Sequence, residues 1–341
     1  MPFRDIIGHR KLVALLTRSV ARQTLPPSLI FSGPAGVGKQ LAALSTAQAL
    51  NCLSPQASTD PDSGHPGHDA CGVCAACSRI ARGVHPDVLF IQPNDKGNIK
   101  IEPVREAIER AGYRPFEGRR RVTIIDSADG LERSAQNALL KVLEEPPPGS
   151  AFILVTALPD LLLPTVRSRC PQLRFRPLEP AEVAALLMRR GRSEVEAHAV
   201  AALANGSIGQ ALEAAAADVV EARDVAMRVL ANAAASDDAR RRMESAKELV
   251  VKGSGPSSSE RDQLAVYLRA MASLLRDIEV LATSADRSIL ANPDVAVKLE
   301  RLSTFAGERG RTAFQAVDRA LGALERYTNA KLVADWLVLQ L

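Results

Sequence analysis

The sequence predicts an α/β module built on a parallel sheet, followed by two regions that contain only helices. Three observations support this fold class. Short apolar runs alternate with helical patterns over residues 1–176, which is typical of a parallel sheet covered by helices. A glycine-rich segment leads from the first apolar run into a helix. From residue 177 onwards the apolar runs of strand length stop and helix-forming residues dominate.

Composition limits the classes of protein to which the chain can belong. With 341 residues, it is long enough for two or three domains that each have a core. The formal net charge of +4 is compatible with binding to nucleic acid but does not by itself indicate it. The first residues lack the apolar stretch of a signal peptide, and no apolar run is long enough to span a membrane. We therefore expect a cytoplasmic protein without a membrane partner.

The first strand, expected over 29–32, leads into the most informative segment of the chain, FSGPAGVGKQ. It matches the phosphate-binding pattern G-x-x-x-x-G-K, in which backbone N–H groups enclose phosphate oxygens and the lysine reaches the β- and γ-phosphates. The next residue in such loops is Ser or Thr, whose hydroxyl binds Mg²⁺, but here it is Gln40. ATP or ADP binding is therefore possible and stays undecided at this point. The candidate phosphate-binding residues are Gly33, Gly36, Gly38 and Lys39.

The following strands place polar side chains at the same edge of the sheet. Asp126 ends its strand and is positioned to act on Mg²⁺ or its water, but Ser127 follows where active ATPases of this kind carry a second carboxylate. A serine hydroxyl is not a general base at neutral pH without an activator of its own. Thr156 ends a later strand, where it either contacts a γ-phosphate or caps the strand. The predicted elements are strands at 88–91, 121–126 and 151–156 and helices at 101–110 and 134–145.

Four of the five cysteines are spaced as ligands for one metal ion. Three of them form the run CGVCAAC, whose two C-x-x-C steps bring three thiolates within reach of one ion, and Cys52 can return to this run as a fourth ligand. Four thiolates form a closed tetrahedral site for structural Zn²⁺, and redox pairing is the alternative. We interpret the nearby His65, His68 and His85 as solvated loop residues. The expected zinc ligands are Cys52, Cys71, Cys74 and Cys77.

Several arginines are candidates for contact with phosphate. Arg169, in the segment Ser-Arg-Cys, either enters the site of a neighbouring subunit or is a solvated surface charge. Spacing alone favours the solvated surface charge. We interpret the arginine runs 119–121 and 240–242 as solvated faces of the protein.

The remaining sequence predicts helices only. Residues 178–217 indicate a small helical domain with a turn at 205–206, and residues 219–341 are helical with a flexible loop at 253–259. Apolar stripes and an apolar C-terminus are explained either by packing within one bundle or by packing against other subunits, and we favour the second explanation. The stripes are Leu264, Leu268, Met271, Leu275 and Ile278, and Phe314, Val317, Leu321 and Leu324.

Seven motifs together resemble one known family. They are FRDIIG at 3–8, GPAGVGK at 33–39, ALNC ending at Cys52, CGVCAAC at 71–77, DSADGLERSAQNALLKVLEEPP at 126–147, SRC at 168–170 and GSIGQAL at 206–212. In these motifs the chain resembles clamp-loader subunits of bacterial DNA polymerase III, members of the AAA+ superfamily, and among them the delta-prime subunits. The motifs cover roughly the first 215 residues, and the C-terminal region is similar only in length and helical character.

This resemblance implies a domain order and a set of partners. It implies a AAA+ P-loop domain at 1–176 with a zinc-binding insertion at 52–77, a helical lid at 177–217 and a helical collar for oligomerisation at 218–341. The implied partners are gamma/tau and delta subunits in a hetero-oligomeric ring, the sliding clamp and primer–template DNA.

The chain departs from the ATPase members of that family at three places. Those members carry Ser or Thr after the loop lysine, Asp-Glu at the strand end and an arginine in the lid, whereas this chain has Gln40, Ser127 and Gly209 or Gln210. The departures imply a stator that does not hydrolyse ATP, within a holoenzyme that is a DNA-directed DNA polymerase, a nucleotidyltransferase. Arg169 matches the family's arginine finger, which acts on a neighbour's ATP. The alternatives are an ATP-hydrolysing subunit of the gamma/tau kind and a stand-alone zinc module that binds nucleic acid.

Overall fold

The chain folds into two compact units, Met1–Pro177 and Leu178–Leu341. The computed structural model describes residues 1–59, 66–94, 97–214, 216–235, 238–250, 260–283, 285–325 and 329–341. The flexible loop expected at 253–259 lies outside the described residues, and so does His65.

The first unit contains a five-stranded parallel sheet and a separate two-stranded hairpin. The strands are β1 Ser28–Ser32, β2 Gln56–Thr59, β3 Pro66–Asp69, β4 Val88–Ile91, β5 Arg121–Ile125, β6 Ser150–Thr156 and β7 Gln172–Arg174. The sheet order is β4–β5–β6–β1–β7. Ser32 pairs with Thr156, so the carboxyl ends of the two central strands lie side by side.

The described residues of this unit form six helices around the sheet. They are α1 Arg10–Ala21, α2 Lys39–Asn51, α3 Ala75–Ala81, α4 Ile101–Ala111, α5 Arg133–Glu144 and α6 Pro164–Arg167. One hydrophobic core lies between the sheet and α4 and α5, and a second lies on the sheet's other face with α1 and α2. The run of prolines at 146–148 explains why α5 ends at Glu144, since proline lacks the N–H that a helix requires and restricts the residue before it. The predicted α/β class, a parallel sheet covered by helices, is therefore confirmed.

The sequence did not predict two features of this unit. Strand β7 has only three residues and no buried position, so it carries no apolar signal. The hairpin of β2 and β3 lies in a segment that we expected to be a loop. It packs against α1, and a Cβ atom on Gly67 would lie 2.9 Å from Thr17. The hairpin is therefore fixed by tertiary packing rather than by its own strand propensity.

The second unit consists of helices in the part of it that the structure describes. They are α7 Pro180–Arg189, α8 Glu194–Leu203, α9 Ile208–Glu213, α10 Ala216–Ala235, α11 Ala239–Leu249, α12 Glu260–Ala282, α13 Ala296–Glu300, α14 Glu308–Glu325 and α15 Ala330–Gln340. The turn before α9 has positive φ at Asn205 and Gly206. A small hydrophobic cluster joins α7 to α9 and a larger one joins α10 to α15. The division at residue 217 stays a prediction.

The apolar stripes of this unit are used mainly within its own core, contrary to our preference for subunit packing. All five stripe residues of α12 are buried there. On α14, Val317 is fully buried, and only Phe314 is largely exposed. Helix α15 has both kinds of face, because its core side is buried while Leu332, Trp336 and Leu339 are exposed. Among the described residues, no helix combines the length and the apolar character that crossing a bilayer requires.

Candidate functional site

The phosphate-loop motif lies at the carboxyl edge of the sheet, between β1 and α2. Its first glycine has a steric role, since a Cβ atom on Gly33 would lie 2.2 Å from the carbonyl oxygen of Phe175. Gly36 and Gly38 have φ angles of 74° and 99°, which residues with a side chain rarely adopt. The backbone of the loop therefore requires the glycines that the motif supplies.

Lys39 lies inside this loop. Only 7% of its surface is exposed, and its Nζ donates to the carbonyl oxygens of Gly33 and Pro34 at 2.6 Å each. Burial lowers the pKa of Lys39, while the negative charges of Asp126 and Asp129 act in the opposite direction. The ammonium is thus held by two neutral carbonyl acceptors, which the negatively charged oxygens of a phosphate can replace.

The predicted acid lies on the same edge, after β5. Burial raises the pKa of Asp126, and the backbone N–H of Ser127 and the charge of Lys39 oppose this shift. The Ser127 N–H donates to Oδ1 of Asp126 at 3.0 Å. Gln40 is exposed in the first turn of α2. The loop lysine and this acid are therefore brought together, and Gln40 stands at the place of the metal-binding hydroxyl.

Asp129 is a neighbour of this site that the sequence analysis missed. It lies in a short 3₁₀ helix of one turn, Ala128–Gly130. Its Oδ1 accepts hydrogen bonds from the Thr156 hydroxyl at 2.7 Å and from the Ala157 N–H at 3.1 Å. Thr156 is fully buried, and the hydrogen bond to Asp129 satisfies its hydroxyl. The sequence signal was an acid three residues after Asp126, which becomes meaningful only once the turn is known.

The four predicted zinc ligands converge. Their Sγ atoms all lie within 4.8 Å of one another. The Cys52–Cys74 and Cys71–Cys77 pairs have Sγ atoms 4.0 Å apart. A tetrahedral zinc site with Zn–S bonds of about 2.3 Å has S···S edges of about 3.8 Å. The spacing therefore fits one tetrahedral metal ion.

Local backbone geometry supports this cluster. Cys52 follows the last residue of α2, and Cys74 is the N-cap of α3. The N–H groups of Cys71, Cys74 and Cys77 donate to the sulfurs of Cys52, Cys71 and Cys74 at 3.3, 3.2 and 3.5 Å. Donors of this kind stabilise sulfur in its thiolate form, which is the form that binds metal.

The thiol pKa values differ within the cluster. Burial raises the pKa of Cys52 and of Cys77. Burial acts in the same direction on Cys74, but hydrogen bonds from the N–H groups of Cys77 and Leu53 outweigh it and lower the pKa to about 6. Four adjacent thiolates repel one another, and a divalent cation removes that repulsion. The donor set therefore suits a cation.

An outer layer of polar contacts holds the cluster to the N-terminus of the chain. Asp69 is buried and accepts hydrogen bonds from the N–H groups of Phe3 at 2.8 Å and Arg4 at 3.1 Å. The Arg4 guanidinium donates to the carbonyl oxygens of Ala70 and Cys71, both at 2.9 Å, and pairs with Asp69. We call the pair of Arg4 and Asp69 the clasp. No sequence motif indicated it.

Two predictions about solvated residues near this cluster were wrong. His85 is buried rather than solvated: its Nδ1 accepts from the Asp87 N–H, and its Nε2 lies 3.4 Å from Glu117. Burial lowers the pKa of His85. Arg121 does not lie on a solvated face, because its guanidinium pairs at 3.0 Å with Asp87, which is fully buried. His68 is exposed, as expected.

Arg169 lies after α6, at the opposite end of β7 from the phosphate loop. Its Nε and one terminal nitrogen donate to Oε2 of Glu144 at 3.0 and 2.9 Å, and the other donates to the Thr165 carbonyl at 3.0 Å. About 30% of its side chain is exposed, against 59% for Glu144. The arginine is therefore oriented by a partner on the surface.

Residues 8–179 match the family model described as "DNA polymerase III, delta subunit". Similar curated proteins include the gamma/tau subunit of DNA polymerase III from Mycobacterium tuberculosis, 33% identical over 55% of this chain and 31% of that protein. They also include the delta′ subunit from Bacillus subtilis, 32% identical over 60% of this chain and 58% of that protein. The chain thus spans about a third of the gamma/tau relative and somewhat more than half of the delta′ relative. A similar solved structure is a DNA polymerase III gamma subunit-related protein from Thermotoga maritima, which is 19% identical in sequence. The match covers 95% of this chain and 96% of that chain, with a TM-score of 0.41.

Proposed function

The chain belongs to the DNA polymerase III delta subunit family, a family of clamp-loader subunits, and we propose that it is the stator of such a loader. In this role it does not hydrolyse ATP. It is a rigid subunit of the ring and supplies Arg169 to the site of a neighbouring ATPase subunit.

The observation that carries this proposal is Gln40 beside an otherwise complete phosphate loop. Phosphoryl transfer by P-loop proteins depends on Mg²⁺ held by the Ser or Thr hydroxyl after the lysine. Gln40 offers an amide instead, and Ser127 follows Asp126 where a second carboxylate would orient the water. Nucleotide binding by Lys39 and the loop glycines remains compatible with this arrangement.

The surroundings of Arg169 support a role in trans. Its ion pair with Glu144 is exposed, and such pairs contribute about 0–1 kcal/mol. A triphosphate carries more charge than one carboxylate and presents several oxygens to a planar guanidinium. The arginine therefore loses little free energy when it exchanges Glu144 for a phosphate.

Zinc is the metal that we propose for the cysteine cluster. Four sulfur donors select zinc or iron–sulfur chemistry, and a single closed tetrahedral site is the structural zinc arrangement. The ion would hold the insertion at 52–77 against the sheet. Four sulfur ligands would leave no coordination position on the ion for a catalytic water, so we assign the site no role in the reaction.

Assembly is the role that we propose for the C-terminal helices. The exposed Leu332, Trp336 and Leu339 lie at i, i+4 and i+7 of α15, which places them on one face of that helix. We propose that residues 177–217 form a lid and residues 218–341 a collar. The proposed partners are gamma/tau and delta subunits, the sliding clamp and primer–template DNA in the cytoplasm.

An ATPase assay tests the central proposal. Phosphate release is measured on the purified chain with and without primed DNA, and we expect none above background. Turnover near 1 s⁻¹, toward the low end for enzymes, that is abolished by Lys39→Ala would contradict the stator role.

The nearby Asp129 favours one second candidate, an ATP-hydrolysing subunit. Its carboxylate lies within electrostatic range of Lys39, although it also accepts two hydrogen bonds from the end of β6. If turnover is found, Asp129→Asn distinguishes the candidates. Loss of that turnover with an unchanged melting temperature would assign Asp129 the role that Ser127 cannot perform.

A further inference from the structure

A cavity of about 330 Å³ opens at the amino edge of the sheet, opposite to the phosphate loop. Its walls come from the C-terminal ends of α1 and α2, the residues before β1 and the start of β6. This volume lies at the lower end of the range of small-molecule sites, about 300–1,000 Å³. None of its lining residues belongs to the phosphate loop, the cysteine cluster or the surroundings of Arg169.

The charges on this cavity have one sign. Arg119 and Arg120 line it, and no acidic residue does so within the described part of the chain. Neither of the two guanidinium groups makes a hydrogen bond or ion pair to any residue that the structure describes. Arg121, the next residue, differs because it is paired with Asp87. As far as the described residues go, the cavity therefore presents two cations without a side-chain partner.

Buried side chains fix the backbone that carries these arginines. Oδ1 of Asn51, a residue only 1% exposed, accepts the N–H groups of both Arg119 and Arg120 at 2.9 Å. A Cβ atom on Gly118 would lie 2.5 Å from the same oxygen, so the approach requires glycine.

Asp87 fixes the residues just before them. Its carboxylate accepts the N–H groups of Phe116, Glu117 and Gly118 at 2.7, 2.9 and 2.8 Å. Five consecutive N–H groups are therefore held by two buried side chains, Asn51 and Asp87. A loop that is already ordered loses little conformational entropy on binding a ligand.

The rest of the lining is largely apolar. It includes Val20, Leu25, Pro26, Pro27, Leu50 and Ala151. A guanidinium group matches the geometry of carboxylate and phosphate oxygens. The cavity thus combines guanidinium groups suited to an anionic head group with apolar residues suited to the remainder of the ligand.

We propose that this cavity is a binding site for a small organic anion. The carboxylate or phosphate of the ligand lies against Arg119 and Arg120, and its apolar part packs on Val20 and Leu25. The proposal does not depend on the clamp-loader function, because the cavity shares no lining residue with the nucleotide loop.

The test is a fluorescence titration of the full chain with 8-anilinonaphthalene-1-sulfonate, an aromatic anion. We expect saturable binding to one site. The double variant Arg119→Ala/Arg120→Ala should weaken that binding at least tenfold. The matched control is Arg82→Ala/Arg105→Ala, which removes the same charge from exposed arginines outside the cavity and should leave the affinity unchanged. Equal losses in both double variants would overturn the proposal.

A substitution that fills the cavity provides a second, independent test. Ser19 is half-buried in the lining, and Ser19→Phe should abolish the saturable site while both arginines remain. Melting temperatures identify variants that fail to fold. Unchanged probe binding by a folded Ser19→Phe variant would contradict the proposal.

Competition then identifies the head group. Benzoate and phenyl phosphate are titrated against the bound probe, and the anion that displaces it at the lower concentration indicates a carboxylate or a phosphate ligand. Displacement by neither would show that the cavity does not select organic anions of these two kinds, which would overturn the proposal.

Discussion

Gln40 separates two properties of the nucleotide site that normally occur together. The glycines and Lys39 provide for phosphate, but the amide of Gln40 does not provide the hydroxyl that binds Mg²⁺. Binding and hydrolysis should therefore respond differently when this residue is changed.

We expect Gln40→Thr to increase affinity for ATP only when Mg²⁺ is present. One added metal contact of about 1.4 kcal/mol corresponds to a tenfold lower Kd. Turnover should stay absent, because Ser127 is unchanged. The measurement is calorimetric titration with and without EDTA. Equal affinity changes in both conditions would show that residue 40 does not face the metal.

Asp87 is a buried acid that stabilises the fold through its hydrogen bonds. Burial alone would raise the pKa of its carboxyl group, but the hydrogen bonds from Glu117, Phe116 and Gly118 and the Arg121 guanidinium outweigh it, so the pKa is lowered. A carboxyl group with a lowered folded-state pKa contributes stability above its unfolded pKa of about 3.9. That contribution is lost as the pH falls through the folded-state value.

Asp87→Asn should therefore destabilise the protein in a pH-dependent way. At pH 7 we expect a loss of roughly 3 kcal/mol in the free energy of unfolding, as for other broken buried pairs. The difference from the wild type should shrink as the pH is lowered below about 4. Urea unfolding at several pH values measures it, with Asp160→Asn, on the exposed surface, as the control. A constant difference would mean that the Asp87 charge is not involved.

The same residues show how far sequence reasoning reaches. Gly33 and Lys39 were predicted because a local motif of fixed spacing determines their role. Asp69 and Asp87 were not predicted, since a single acid outside a periodic pattern gives no signal. Each becomes buried only through contacts with distant segments of the chain. His85 was misjudged for the same reason.

At the scale of elements, helix α2 connects the two candidate sites. It begins with Lys39 in the phosphate loop and ends at Asn51, next to the first metal ligand, Cys52. Its 13 residues place these ends roughly 20 Å apart at about 1.5 Å per residue. Loss of metal should therefore affect stability first and nucleotide binding little.

The clasp should control how tightly the metal is held. Arg4 bonds to the carbonyl oxygens of Ala70 and Cys71, so it fixes the backbone of one ligand. We expect Arg4→Ala to speed zinc release to a chelator by about tenfold, as for other outer contacts of metal sites. Zinc release is followed with a colorimetric chelator, using Arg82→Ala as the control and Cys74→Ser as the variant that lacks a ligand.

Two results would contradict that expectation. Absence of zinc from wild-type protein purified without chelators would contradict the proposal of a zinc site. An unchanged release rate in Arg4→Ala would show that the clasp has no influence on the metal.

Elements were predicted well where they carry a strong apolar pattern. Strands β1, β4, β5 and β6 carry clear apolar runs and were all expected. Strand β7 and the hairpin were not expected, since their residues are held by neighbours rather than by propensity. The stripe on α12 shows the opposite error, because an apolar face that fits a subunit contact also fits a helical core.

At the scale of the whole molecule, the division of roles depends on Arg169. In the proposed stator, the chain's own phosphate loop does not hydrolyse ATP, so an arginine that stabilises a γ-phosphate would be useful only in another subunit's site. In well-studied GTPases such arginines are worth roughly 10³–10⁵ in rate. The loss in a loader with several active sites will be smaller, since the other sites keep their own arginines.

We expect Arg169→Ala to reduce DNA-stimulated ATPase and clamp loading by the reconstituted loader, while folding, zinc content and ring assembly stay intact. Glu144→Gln should have a milder effect, because it weakens the contact that orients Arg169 but keeps the guanidinium. The matched control is Arg167→Ala, which removes a nearby arginine paired with Asp160. Subunit content is checked by gel filtration before each assay. If Arg169→Ala and Arg167→Ala behave alike, Arg169 is an ordinary surface charge and the stator contributes no group to its neighbour's reaction.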